Sequence, residues 1–305
     1  MRFDDQVAVI TGAGAGLGRA YAIALAERGA RVALIDSGCA DSRYPKELRS
    51  GLDNTLRTLK ELGATAVSYR IDVRDHDAVV TMIECLQSLW GRIDILINNA
   101  SIHQPCAFDA LTIEQWQQQL DVDVNGSFYL AKAVWPLMKL QGYGRIIMSG
   151  AASGLYGDMH ETCFSTSKMA LMGLVNSLSI EGREYNIGVN SITPHALTDM
   201  TASHLAPSVK PLFSKSSVNA TMLYLSSKWA PTGQHFLVAA GSVSHGMFTE
   251  FQPLRIGEDD CKPEVIHENW HTHYQQLPVV LHQSGEEQIT AWAKRSAAER
   301  HVVIE

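Results

Sequence analysis

Cysteine is sparse and unpatterned in this chain: five residues, Cys39, Cys85, Cys106, Cys163 and Cys261, an odd number at irregular spacing. Such usage excludes a disulfide framework and fits reduced thiols, so a cytoplasmic location is expected. Long apolar runs are missing too. No stretch approaches the length of a membrane span, and the short run Val7 to Ile10, behind Asp4 and Asp5, falls short of a signal-peptide core. Basic residues are not in excess: 25 Lys and Arg stand against 32 Asp and Glu, a net charge of −7, and they are scattered, which argues against nucleic acid as a partner. What is present is length and apolar content. At 305 residues and 46% hydrophobic, the chain can bury one large α/β core plus an appendage without disulfides or metals.

The stretch from Val7 to Arg19 organises the rest. Val7-Ala8-Val9-Ile10 is a short strand buried on both faces, and Thr11-Gly12-Ala13-Gly14-Ala15-Gly16-Leu17-Gly18 turns directly into a helix carrying Tyr21, Ile23, Ala24 and Leu25. Glycines there let the backbone approach a pyrophosphate, and the amides opening the helix offer it hydrogen bonds and a positive dipole. Gly12, Ala15, Gly16, Leu17 and Gly18 are thus candidate dinucleotide contacts. A second strand, Arg31 to Ile35, ends on Asp36, whose carboxylate can accept from ribose hydroxyls.

A polar insertion, Ser37 to Ser50, precedes a helix marked by Leu52, Leu56, Leu59 and Leu62, which Gly63 stops. Ala66 to Ile71 makes a third strand closed by Asp72-Val73. Val79, Val80, Ile83 and Leu86 stripe the next helix, and Ile93 to Ile97 forms a fourth strand running into Asn98-Asn99-Ala100-Ser101. Strands that are nearly all apolar and alternate with helices mean a doubly wound parallel sheet, an α/β Rossmann fold, covered on both faces. These stretches resemble the short-chain dehydrogenase/reductase family: Thr11 to Gly18 matches its TGxxxGxG turn, and Asn98-Asn99-Ala100 its NNAG strand end with Ser101 in place of the last Gly. Gly144 to Met148, Ser153 to Gly157 and Ser179 to Arg183 extend the likeness and resemble the hydroxyacyl-CoA dehydrogenase branch of that family. The resemblance covers roughly residues 5 to 245. It implies NAD as cofactor, Asp36 as the acid that selects it, and contacts from Asp72, Val73, Asn99, Ala100 and Lys168.

The chemistry that the resemblance implies is incomplete. The family uses a Tyr and a Lys one helical turn apart, a Ser upstream that polarises the carbonyl oxygen, and an Asn that helps hold a relay water. Here Phe164 stands in the Tyr position, Ala151 in the Ser position, and Lys168 and Asn125 remain. Both replacements remove a hydroxyl and keep the shape. A lost acid or base lowers a rate roughly 10²- to 10⁴-fold. A substitute must come from elsewhere; Tyr156, Ser153, Ser165 and His160 are candidates, with His160 preferred because imidazoles change charge near neutral pH. Asn125 is placed beside the apolar side of one long helix that Thr112 and Gln115 cap and that carries Trp116, Leu120, Val124, Phe128 and Ala131.

Past Lys168, a helix with Ala170, Leu171, Leu174, Val175, Leu178 and Ile180 has an apolar surface wider than one stripe, and the resemblance implies pairing there into a homo-oligomer, dimer or tetramer. Val189 to Thr193 is a sixth strand, His195 follows Pro194 where the family has Gly, residues 198–217 read as a substrate lid, and His235 to Ala239 is the last strand. The domain is expected to end near residue 245, with 246–305 an extension. In that extension His267-Glu268-Asn269-Trp270-His271 matches HExxH, read as a solvated helix anchored by Trp270, with no metal expected, and Ile289, Trp292 and Ala293 suggest a final amphipathic helix. Three functions follow: an NAD-dependent oxidoreductase of a secondary alcohol or ketone, with an atypical proton relay; an NAD-binding pseudoenzyme; and, less favoured, a non-redox lyase or isomerase. The first is adopted.

Overall fold

Val7 and Val9 point to one side of the central strand and Ala8 and Ile10 to the other, all four fully buried. A strand without polar alternation has no face to offer water, so β1 (Val7–Thr11) lies mid-sheet with helices on either side. The computed structural model describes residues 1–38, 51–202, 207–208, 210–246, 248–252, 254, 262–274 and 278–280.

Beside β1 run β2 (Arg31–Asp36), β3 (Ala66–Arg70), β4 (Ile95–Asn98), β5 (Gly144–Ser149), β6 (Ile187–His195), β7 (His235–Ala239) and β8 (Ser242–Gly246). Their order is β3-β2-β1-β4-β5-β6-β7-β8, parallel from β3 to β7, with β8 antiparallel to β7. The doubly wound parallel sheet expected from the apolar runs is therefore present. Strand order reverses between β1 and β4, and at such a switch point the diverging loops leave a crevice for a ligand.

One face of the sheet is covered by α1 (Gly16–Ala26), α2 (Gly51–Glu61) and α8 (Ser216–Ser226). The other is covered by α3 (His76–Trp90), α5 (Gly126–Gln141) and α7 (Thr162–Glu181). Two shorter helices, α4 (Ile113–Leu120) and α6 (Ala152–Tyr156), complete the first compact unit, Met1–Gly246. Met247–Glu305 is a second unit, whose described elements are β9 (Glu250–Phe251), its antiparallel partner β10 (Pro278–Val280), and α9 (Pro263–Tyr274). Within α9, His267 and Glu268 are exposed and Trp270 is 57% exposed. The expected helix around Trp292, Arg43 in the insertion, and part of the lid lie outside the described residues. Among the described residues, no helix is long and apolar enough to cross a membrane.

Two features depart from the sequence expectations. Strand β8, polar and exposed, adds to the sheet beyond β7. The long helix after Thr112 is not continuous: Thr112 and Gln115 form the expected reciprocal cap, but a π turn at Asp121–Asn125 separates α4 from α5. A π turn accommodates an extra residue and rotates everything after it. Phe128, expected inside, is 45% exposed, while Asp123, Ser127 and Leu130 are buried.

Candidate active site

The crevice is built from the ends of β1 and β4. Thr11 Oγ1 accepts hydrogen bonds from the backbone N–H groups of Asn99 and Ala100, each at 2.9 Å, and Asn99 Nδ2 donates to the Thr11 carbonyl at 3.0 Å. Gly12, at φ +63°, needs its freedom: a Cβ there would lie 2.9 Å from Asn99 Nδ2 and 3.0 Å from Ala100 Cα. A Cβ on Gly18 would run into the Gly12 carbonyl and lie 2.8 Å from Asn99 Nδ2. Helix α1 therefore begins in contact with the turn. Ala15 caps it without a side-chain hydrogen bond, which leaves its first amides for an anion.

Asp36 has a larger role than contacting ribose. Its Oδ2 accepts from Gly14 N at 2.9 Å and its Oδ1 from Gly38 N at 3.0 Å, so the carboxylate ties the glycine turn to the chain leaving β2. Each oxygen keeps a lone pair for a ribose hydroxyl. Asp72 is bracketed by Arg74, whose side chain donates at 2.6 Å and backbone at 3.0 Å, and this holds the carboxyl below the usual range. Val73 is buried against Gly126, where a Cβ would meet Val73 Cγ2 at 2.6 Å. Thr198, not singled out from the sequence, lies over the turn, with its Cγ2 3.8 Å from where a Gly16 Cβ would be. An uncapped helix start, a side-chain-free approach and a carboxylate at the end of β2 fit a nicotinamide adenine dinucleotide.

At the reacting end, Ala151 is extended and immediately precedes α6, and Phe164 lies in the first turn of α7. Lys168, 3% exposed, sits one turn further on, with its Nζ 5.2 Å from the centre of the Phe164 ring. That ammonium is ion-paired: Asp123 Oδ2 is 3.1 Å away and wholly buried. The same oxygen accepts from Ser167 Oγ at 2.7 Å and Gln119 Nε2 at 2.9 Å, while Asp123 Oδ1 is buried without a partner among the described residues. Asn125, expected to face the relay, instead donates to Asp121 Oδ1 at 2.7 Å. Asp123, three residues on from Leu120 and four from the buried Gln119 that bonds it, keeps the phase of α4 and so meets Lys168, whereas Asn125 at the end of the π turn does not.

His160 is exposed with φ +67°, and its carbonyl accepts from Cys106 N at 2.8 Å. Tyr156 is 77% exposed. The imidazole that meets Phe164 belongs to His103, in the chain after β4: the rings are edge to face at 4.9 Å. His103 Nε2 lies 2.8 Å from Glu161 Oε1, with the two side chains only 17% and 14% exposed. His195, in the family's Gly position, packs edge to face on Phe213 at 5.2 Å.

A switch-point crevice with a glycine turn against an uncapped helix start defines a dinucleotide-binding fold of the Rossmann class. The chain belongs to the short-chain dehydrogenase family, whose sequence model matches residues 6–207. It is 35% identical over 273 residues to the mouse peroxisomal multifunctional enzyme type 2, covering 88% of this chain and 37% of that one. Full-length multifunctional enzyme type 2 from Drosophila melanogaster superposes with a TM-score of 0.75 at 27% identity, over 98% of this chain and 50% of that one. A 7α-hydroxysteroid dehydrogenase solved with NADH and 7-oxo glycochenodeoxycholic acid matches at TM-score 0.69 and 27% identity, over 79% of this chain and 95% of its own. The chain thus spans half or less of the length of these two multifunctional enzymes.

Proposed function

We propose that this chain is an NAD(H)-dependent oxidoreductase of a secondary alcohol or ketone, hydroxyacyl-like in class, with an atypical proton relay. The cradle formed by Gly12, Gly18 and Asp36 supports the cofactor, as does the NADH held by a solved relative. Bound NAD(H) would supply or accept the hydride.

One observation carries the relay: the His103–Glu161 pair packs against Phe164, where the family's phenol would be. Glu161 fixes the imidazole through Nε2 and offsets the positive charge of its protonated form, so His103 is assigned the proton of the substrate oxygen in place of His160. Residues 198–217, with Phe213 against His195, serve as the lid. Partly exposed Phe128 and Ile180 support a homo-oligomer, tested by sedimentation. Among the described residues, the free thiols of Cys85, Cys106 and Cys163 favour a reducing compartment such as the cytoplasm; because some relatives are peroxisomal, cell fractionation is the test.

The enzymatic test is NADH oxidation over a panel of ketones and acyl thioesters, beside direct NADH titration. Turnover of at least one member is expected, and His103→Gln should lower it about 10²- to 10⁴-fold with NADH affinity kept. NADH binding with no turnover of any member would select the pseudoenzyme reading, which Phe164 and Ala151 favour.

A further inference from the structure

We infer that Asp123 determines the electrostatics of this pocket: as the internal counter-ion of Lys168, it cancels the positive charge that would otherwise act on residue 164 and makes Lys168 a structural cation. The inference holds whether or not any substrate turns over.

The ion pair is closed on the protein side. Lys168 Nζ is 3.1 Å from Asp123 Oδ2, with the two side chains 4% and 0% exposed, so water screens neither charge. Ser167 and Gln119 donate to the same oxygen and fix the carboxylate in place. The ammonium 5.2 Å from the Phe164 ring carries an opposite charge 3.1 Å from itself, and the potential of such a pair falls off much faster than that of a lone cation. Other ionisable groups near Phe164 are His103 and Glu161, which are bonded to each other, and the adjacent Cys163, whose thiol is held above its ordinary range by burial and so stays neutral. Nearby opposite charge is what brings a phenol toward neutral titration, and an unpaired ammonium within about 4 to 6 Å lowers an acid by roughly one to three pH units. In this pocket that influence is absent because of Asp123, independently of whether residue 164 bears a hydroxyl.

The experiment needs neither cofactor nor substrate. A tyrosine placed by Phe164→Tyr is followed by tyrosinate absorbance, the signal of the parent's nine tyrosines being subtracted. The expected titration lies at or above about pH 10, the ordinary value. With Asp123→Asn added, which keeps an acceptor for Ser167 and Gln119, and its own single variant as reference, the same tyrosine should titrate about one to three pH units lower. Adding Lys168→Met should reverse that drop. A tyrosine already depressed in Phe164→Tyr alone would overturn the inference, and so would no drop on Asp123→Asn. The first arm leaves the ion pair intact and is decisive even if Asp123→Asn does not fold; Asp123→Ser then serves for the second.

Discussion

The Gly12 carbonyl oxygen occupies the space that a side chain on Gly18 would need, so the first turn of α1 and the glycine turn can approach only because residue 18 has no Cβ. Gly18→Val should therefore abolish detectable NADH binding while circular dichroism still reports a folded protein. Fluorescence titration checks it. Unchanged affinity in a folded variant would mean that the turn serves packing alone.

Asp36 bears on cofactor choice. Its carboxylate would repel a 2′-phosphate, and Arg70, whose guanidinium lies against Gly38, is drawn to Asp53 at 3.2 Å. NADH is expected to bind at least about tenfold more tightly than NADPH, a difference of about 1.4 kcal/mol. Paired dissociation constants with NADPH the tighter would reverse the assignment of Asp36.

Restoring the missing hydroxyls should not suffice to restore carbonyl reduction. With Phe164→Tyr and Ala151→Ser, the phenol still faces a neutralised Lys168. Adding Asp123→Asn should bring the gain over the parent to about 10²-fold or more, the lower range for a positioned acid. Initial rates on the same ketones compare the two, and equal rates would show that Asp123 does not limit the repaired site.

In the second unit, His267 and Glu268 lie on α9 and are exposed. Replacing His267 and His271 together with Ala should leave metal content and any activity unchanged. Elemental analysis is the check: stoichiometric zinc in the parent, lost in the variant, would reopen hydrolase chemistry for that helix.

Acid should loosen the β6–β7 region through His235, which burial chiefly, and His245 secondarily, hold below the ordinary imidazole range. Its ring spans Ser191 Oγ at 2.8 Å and Asn176 Oδ1 at 3.0 Å. Because the unfolded chain takes the proton first, this contribution is full above about pH 6.5 and is lost as pH falls from there through the lower value of the folded ring. Melting temperatures of His235→Gln should start lower at about pH 8 and fall less steeply toward about pH 5 than those of the parent. Parallel curves would remove His235 from the acid response.

The fold was legible because β1, β2 and β4 are buried on both faces and so appear as uninterrupted apolar runs, and because the glycine turn is local in sequence. Strand β8 was not, since Ser242-Val243-Ser244-His245-Gly246 is polar, exposed and held by backbone pairing with β7. Lys168, Phe164 and Ala151 could be placed only through the family resemblance, on α7 and just before α6. Asp123 was not legible, because its role comes from pairing with Lys168 on another helix far along the chain, and the family resemblance singles out Asn125, as the holder of a relay water, instead. The His103–Glu161 pair joins positions 58 residues apart, and neither has a local pattern to mark it.

The π turn also makes chain length, rather than side-chain identity, a control on this site. Removing one residue from 121–125 would let α4 and α5 merge into an uninterrupted helix, turning everything on one side of the deletion by about 100° relative to the other. With residue 121 or 122 the one removed, Asp123 would turn off the α4 face it shares with Gln119 and leave Lys168 buried with no counter-charge, although every residue lining the pocket kept its name. A single inserted codon can therefore set the acid–base character of a pocket, and comparing residues column by column would miss it.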